Sequence, residues 1–189
     1  NEPSDTGGTD IAELVRKPGG PHNRPTGVVT SPEGNIFISD GYANCRVHKY
    51  DSDGNLILSW GAPGKVEPGH FHLPHGITMD KEGRILVCDR QNHRIQVFSQ
   101  DGHHLDTWTG FRMPTSVAVG TDGRVYVSEL ECRVSVVDHN GDVLSRWGGE
   151  RGEDPGHFMA PHCVAVDSAG DVYVGEVLDG MRIQKFTKK

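Results

Sequence analysis

The segment Leu73-Pro74-His75-Gly76 and its later echo Ala160-Pro161-His162-Cys163 each open one unit of a repeat that runs through most of the chain. Two other units open with the same proline followed by threonine, at Pro25-Thr26 and Pro114-Thr115. The residue after the proline therefore alternates Thr, His, Thr, His along the sequence. A repeat keeps in every copy what its fold requires. A histidine kept only in alternate copies therefore indicates a metal-binding or acid–base role.

Each unit is predicted to contain four short strands joined by tight turns. In the first unit, β-branched and aromatic residues mark strands at Ile36–Asp40, Arg46–Tyr50 and Leu56–Trp60, with an Asp53-Gly54 turn before the last of them. The opening prolines lie 40 to 49 residues apart. A four-stranded unit of this length cannot bury both of its faces alone, so copies must pack face to face. The sequence therefore predicts an all-β fold, a β-propeller of four-stranded blades.

The repeat also divides the chain. Residues 1–24 are rich in Gly and Pro and are interpreted as a loop segment or the remnant of a preceding blade, whereas 25–189 form the propeller. The blades are expected at about 25–61, 74–110, 114–149 and 161–189. The last unit ends before a fourth strand. Two arrangements fit: four blades of a six-bladed propeller in a longer protein, which is the simpler account, or a four-bladed ring completed by a strand near Ile11–Val15.

Composition excludes some function classes. The chain of 189 residues has a formal net charge of -7 and a pI of about 5.8, and it lacks a basic patch, so nucleic acid is not an expected partner. No apolar run approaches the roughly 18 residues that a membrane helix needs. The four cysteines fall one to a unit without C-x-x-C spacing, which predicts free thiols rather than a structural zinc knuckle.

The units resemble NHL repeats, whose signature is close to Gln91-Asn92-His93-Arg94-Ile95. A narrower similarity involves three segments taken together. In order and spacing they are similar to peptidyl-α-hydroxyglycine α-amidating lyases: Ser39-Asp40-Gly41-Tyr42-Ala43-Asn44-Cys45-Arg46, Pro68-Gly69-His70-Phe71-His72-Leu73-Pro74-His75-Gly76, and Asp89-Arg90-Gln91-Asn92 with Arg94-Ile95-Gln96. This resemblance extends from about Pro25 to Lys185.

The resemblance implies a six-bladed propeller with a catalytic zinc ion in its central channel, held by one histidine from every second blade. Such an enzyme cleaves a peptidyl-α-hydroxyglycine into a peptide amide and glyoxylate. By this resemblance His75 and His162 match two zinc ligands, Tyr42 matches the catalytic tyrosine, and Arg90 matches a substrate-binding or catalytic arginine. It also suggests, weakly, an extracytoplasmic or secreted location. The implied partner is a peptide or small-molecule substrate.

The alternation of openers supports a channel site independently. Blade-opening strands line the channel of a propeller, so histidines of alternate blades converge on its axis. Three neutral imidazoles with one open position are the geometry of catalytic zinc. In the family the third histidine would precede Pro25; His22 is the one candidate among the first 24 residues, and it is not a clear replacement.

The sequence departs from the family at Ala160 and Cys163, where the family has methionine and aspartate. That aspartate helps to bind calcium in the family, so calcium is a weaker expectation than zinc. A second hypothesis is a non-catalytic NHL propeller that binds a peptide or protein on its loop face. A calcium-dependent lactonase-like hydrolase is a third, which the alternate histidines disfavour.

Two residue types recur in every unit and are therefore interpreted as structural. A carboxylate ends the second strand of each unit, and an arginine starts the third strand and is expected to tie neighbouring blades together. The carboxylates are Asp40, Asp89, Glu129 and Glu176, and the arginines are Arg46, Arg94, Arg133 and Arg182.

Overall fold

A computed structural model describes residues 22–188 of the chain as four propeller blades. Blade 1 contains β1 (Gly27–Thr30), β2 (Ile36–Asp40), β3 (Arg46–Tyr50) and β4 (Leu56–Trp60). Blade 2 contains β7 (Pro74–Met79), β8 (Ile85–Asp89), β9 (Arg94–Phe98) and β10 (His104–Trp108). Blade 3 contains β11 (Pro114–Val119), β12 (Val125–Glu129), β13 (Arg133–Val137) and β14 (Val143–Gly148). Blade 4 contains β15 (Pro161–Val166), β16 (Val172–Glu176) and β17 (Ile183–Phe186).

Within each blade, strands adjacent in sequence pair antiparallel. The predicted all-β propeller is therefore confirmed, and within the described residues blade 4 has three strands, as the sequence predicts. The proposed completing strand at Ile11–Val15 lies outside the described residues. A short parallel pair between blades 1 and 2, β5 (Ala62–Pro63) with β6 (His70–Phe71), was not predicted.

Hydrophobic cores lie between consecutive blades. Alternate residues of a strand point to opposite faces of its sheet, so one strand serves two cores. In β8, Ile85 and Val87 pack toward blade 1 against Phe37, whereas Leu86 and Cys88 pack toward blade 3. A third core, which includes Phe158, joins blades 3 and 4. All four cysteines are free, as predicted.

Two glycines allow the blades to approach closely near the channel. A Cβ on Gly41 would lie 1.7 Å from the Pro74 carbonyl oxygen, so the loop after β2 of blade 1 could not otherwise rest on the opening strand of blade 2. A Cβ on Gly76 would lie 2.6 Å from the Cα of Ser116 in blade 3. Neither position tolerates a side chain without movement of backbone, and both adjoin the predicted site.

The recurring arginines have a different role from the predicted blade–blade ties. Arg94 binds the carboxylate of its own blade, with Nε 2.7 Å from Asp89 Oδ2, and donates to carbonyls of the connecting loop such as that of His70 at 2.7 Å. Arg133 and Arg182 make the same kind of ion pair, to Glu129 and Glu176. These three arginines therefore fasten each blade to the connector that precedes it.

Candidate functional site

The threonine that opens blades 1 and 3 has a structural role. Thr26 Oγ1 donates to the Pro74 carbonyl of blade 2 over 2.8 Å, and Thr115 Oγ1 lies 3.0 Å from the Pro161 carbonyl of blade 4. Each hydroxyl also contacts the second strand of its own blade, at Ser39 or Ser128. Threonine thus joins the inner strands of neighbouring blades, which explains why it occupies this position where histidine does not.

His75, on β7, is held from the neighbouring blade with a defined tautomer. Its Nδ1 lies 2.6 Å from the Thr115 carbonyl oxygen, which can only accept a hydrogen bond. Nδ1 therefore carries the proton and Nε2 presents a lone pair. This Nε2 lies 3.3 Å from the Tyr42 hydroxyl, and the side chain is almost wholly buried. A backbone carbonyl on the distal nitrogen is the usual support of a metal-ligating imidazole.

His162, on β15, meets His75 across the channel. The two ring centroids are 4.7 Å apart and the planes are nearly perpendicular, at 88°. His162 is only partly buried. The alternate-blade histidines therefore converge, which is the juxtaposition that the sequence predicts.

Tyr42 and Arg90 complete the group. Tyr42 lies in the turn between β2 and β3 of blade 1, and its ring is 5.7 Å from that of His75. Arg90 begins a 3-10 turn, Arg90–Asn92, directly after β8, and its backbone N–H donates to the Leu73 carbonyl over 3.2 Å. The Arg90 guanidinium carbon lies 5.7 Å from the centre of the Tyr42 ring. The four predicted residues thus come from blades 1, 2 and 4 to one place.

Arg90 has an unsatisfied buried group. The residue is 7% exposed, and its Nε has no hydrogen-bond partner among residues 22–188. An unpaired buried donor is costly, and a carboxylate is the partner that a guanidinium binds best. This orphaned donor therefore fits a ligand that carries a carboxylate.

Burial and charge keep both imidazoles neutral. Burial lowers the pKa of His75 to about 4, assisted by the positive charge of Arg90 and by His162. Burial and then Arg90 also lower the pKa of His162. Neutral imidazoles at neutral pH are required for metal binding.

The donor set fits two coordination positions of a zinc ion. Two imidazole rings in contact, one with a fixed tautomer, are suitable ligands. Within residues 22–188, no third His, Cys, Asp or Glu joins them at ligating distance. His22, the one candidate that the sequence offers before Pro25, lies elsewhere: its Nε2 is 2.9 Å from the Tyr50 hydroxyl, and its ring packs on His48. It occupies the position that phenylalanine holds in the other blades, a signal that the sequence already contained.

The family model for the NHL repeat matches residues 23–50, 71–98 and 158–186. The chain is 30% identical over 171 residues to peptidyl-glycine alpha-amidating monooxygenase B of Xenopus laevis, covering 81% of this chain and 19% of that protein. It is 33% identical over 193 residues to peptidyl-alpha-hydroxyglycine alpha-amidating lyase 1 of Drosophila melanogaster, covering 88% and 35%. It is 32% identical over 180 residues to NHL repeat-containing protein 3 of Homo sapiens, covering 87% and 50%. The chain thus spans between about a fifth and a half of these relatives.

A solved structure of a streptogramin B lyase has a similar fold. The TM-score is 0.66 at 16% identity, and the match covers 87% of this chain and 55% of that one. Similarity at this level of identity concerns the propeller architecture alone. No helix within residues 22–188 is long and apolar enough to cross a membrane.

Proposed function

We propose that this chain, an NHL-repeat β-propeller whose homologues include peptidyl-α-hydroxyglycine α-amidating lyases, carries the corresponding lyase site. The reaction would cleave the C–N bond of an N-acyl-α-hydroxyglycine and release an amide and glyoxylate. The observation that supports this most is the convergence of Tyr42 and Arg90 on the His75–His162 pair. The relatives also suggest, weakly, an extracytoplasmic location.

Arg90 would bind the substrate carboxylate. Its buried guanidinium has an unpartnered Nε, and a carboxylate there would satisfy it with a charge-assisted hydrogen bond. This contact would place the adjacent carbinol carbon beside the Tyr42 hydroxyl, because the guanidinium lies near the tyrosine ring. Fixing the reacting groups in this way removes much of the entropic cost of the reaction.

Tyr42 would move the proton. As the C–N bond breaks, the carbinol O–H gives its proton to the Tyr42 oxygen, the carbinol C–O bond becomes the aldehyde double bond, and the Tyr42 hydroxyl passes its own proton to the leaving nitrogen, which becomes the amide. No electron is gained or lost overall. Zinc, if bound, would polarise the carbinol hydroxyl, and His75 and His162 are the residues that would hold it. The Thr115 carbonyl keeps the His75 Nε2 lone pair directed toward the Tyr42 hydroxyl.

The test measures glyoxylate and amide released from a synthetic N-acyl-α-hydroxyglycine by the full chain with added Zn²⁺. We expect Tyr42→Phe to lower turnover by about 100-fold or more, the usual contribution of a positioned acid–base group. Tyr173→Phe is the matched control, because Tyr173 bonds Asp167 in blade 4 and should leave turnover unchanged. No glyoxylate from the unaltered chain would refute the lyase, and equal turnover of Tyr42→Phe would refute the role of the tyrosine.

A binding protein is the second candidate function. It is favoured by the similarity to NHL repeat-containing protein 3, whose name describes repeats and no reaction. On this hypothesis the loop face would bind a peptide or protein partner. Peptide capture that persists in a His75→Ala variant, together with no turnover, would support this reading over the lyase.

A further inference from the structure

A second cluster of ligating side chains lies in blade 1. Three repeat positions meet there. The carboxylate that ends the second strand is Asp40. His48 lies two residues after the recurring arginine of its blade, where the other blades have Gln96, Ser135 and Gln184. The residue three before the opening proline is His22, where the other blades have buried Phe71, Phe111 and Phe158. Blade 1 thus replaces a core aromatic and a polar residue with two histidines, on either side of one carboxylate.

The three ligating atoms face one another. His48 Nε2 is 3.4 Å from Asp40 Oδ2, and His22 Nδ1 is 3.7 Å from the same oxygen. All three atoms lie within 4.8 Å of one another. Ligands of a tetrahedral zinc ion, with bonds of about 2.0–2.1 Å, are separated by about 3.4 Å. Two of the separations already fit. His22 precedes β1 on irregular backbone and its side chain is 27% exposed. It therefore has room to move toward His48 and bring the third separation, between the two imidazole nitrogens, to this value.

The buried His22 Nδ1 has no hydrogen-bond partner in the described part of the chain. At 3.7 Å the carboxylate oxygen is too far for a hydrogen bond. The nitrogen therefore points into the cluster without a proton donor or acceptor at bonding distance. Asp40 Oδ2 already accepts from the Asn23 N–H and the Asn44 amide, so a cation between the two residues would give His22 Nδ1 the partner that it lacks.

Each ligand is also supported from outside the cluster. Tyr50 Oη lies 2.9 Å from His22 Nε2, and Ser59 Oγ lies 2.7 Å from His48 Nδ1. If each of these nitrogens donates its proton outward, the facing nitrogen of each ring has a lone pair for a metal. The Asn44 side-chain amide donates to Asp40 Oδ2 over 2.5 Å. Such outward bonds to imidazole and carboxylate are typical of metal sites.

Arg46, the arginine of blade 1, does not bind the Asp40 carboxylate and so does not compete with a metal ion for it. In blade 2, Arg94 Nε binds Asp89 at 2.7 Å and neutralises it. No ion pair joins Arg46 to Asp40, and Arg46 Nε has no partner among residues 22–188. The negative charge of buried Asp40 therefore lacks the permanent cation that its counterparts have.

From these observations we infer that His22, His48 and Asp40 form a site for a divalent transition-metal ion, with zinc the best match. Two imidazole nitrogens and one carboxylate oxygen suit zinc, whereas calcium and magnesium prefer oxygen ligands alone. The ion would fasten the segment before β1 to strands β2 and β3. The site shares no residue with the His75–His162 pair and does not depend on the proposed lyase activity.

The test separates the two sites. A full-length His75→Ala/His162→Ala chain is stripped with a chelator and dialysed against micromolar free Zn²⁺, and bound metal is measured by mass spectrometry. We expect about one zinc ion per chain. Adding His22→Phe or His48→Gln, the residues of sister blades, should weaken zinc binding by at least about 100-fold, more than the loss of an outer-shell partner. His139→Gln, an exposed histidine outside the cluster, is the matched control and should change nothing.

A second readout needs no substitution in the cluster. Imidazole ¹⁵N chemical shifts in the channel double variant report directly which nitrogen binds metal. We expect His22 Nδ1 and His48 Nε2 to shift on zinc addition. Zinc binding that survives both blade-1 variants, no zinc binding at all, or zinc addition that leaves both imidazoles unshifted would each overturn the site and leave a hydrogen-bond network in its place.

Discussion

Blades 1 and 2 are neighbours with the same four-stranded order, yet they differ at two equivalent positions. Blade 2 opens with His75, which faces the channel, and its carboxylate Asp89 is bound by Arg94. Blade 1 opens with Thr26, which ties the blades together, and its carboxylate Asp40 faces two histidines. In blade 2 the carboxylate position maintains the fold, and the opening position carries histidine instead of threonine. In blade 1 the opening position maintains the fold, and the carboxylate faces two histidines instead of an arginine. A repeated residue can therefore be structural in one copy and available to a ligand in another.

The largest expected contrast concerns the two arginines. Arg94→Ala would leave Asp89, which is fully buried, without its cation, and should lower the free energy of unfolding by about 3–5 kcal/mol. Arg46→Ala removes no ion pair to Asp40 and should cost less than about 1 kcal/mol. Urea denaturation followed by circular dichroism measures both. Equal losses of unfolding free energy in the two variants would mean that Asp40 and Asp89 depend equally on the arginine of their blade.

A smaller contrast is expected in the pH dependence of stability, measured with a chelator present. The pKa of His75 is about 4 in the folded chain and near 6.5 when unfolded, so the unfolded state binds the proton first as pH falls. The stability due to this group is complete above pH 6.5 and is lost toward pH 4, by about 3 kcal/mol. His75→Gln should remove that part of the pH slope. Parallel slopes for variant and parent would contradict the lowered pKa, and Thr26→Val in blade 1 should leave the slope unchanged.

The smallest expected effects are those of the threonine openers. Thr115→Val deletes a fully buried hydroxyl bonded to Ser128 and Pro161 and should cost about 1–2 kcal/mol. Thr26→Val deletes the equivalent bonds to Ser39 and Pro74 in a half-buried place and should cost less. Thermal unfolding of the two variants gives the comparison. A larger loss for Thr26 would show that the joint between blades 1 and 2 is the tighter one.

Much of the fold could be predicted because its signals are local. Proline-led openers, alternating apolar strands and Asp-Gly or Glu-Gly turns mark β2, β3 and β8 at the bounds that the structure has. The parallel pair Ala62–Pro63 with His70–Phe71 was missed, because two residues carry no periodicity. Repetition of the carboxylate in every unit predicts a structural role for Asp40, but it does not show that the side chains around Asp40, His22 and His48, differ from those of the sister blades.

The sequence alone determined the repeat, its four-stranded blades and the alternation of Thr and His. Each of these features follows from short local motifs and from the regular distance between the opening prolines. Tyr42 and Arg90 were identified through the resemblance of their segments to the lyase family. Only the tertiary structure decided which of these residues meet. The contact of His75 with His162 depends on how blades 2, 3 and 4 pack, and the contact of His22 with His48 depends on how the chain enters blade 1. Such distances follow from packing between sheets, which no local pattern encodes.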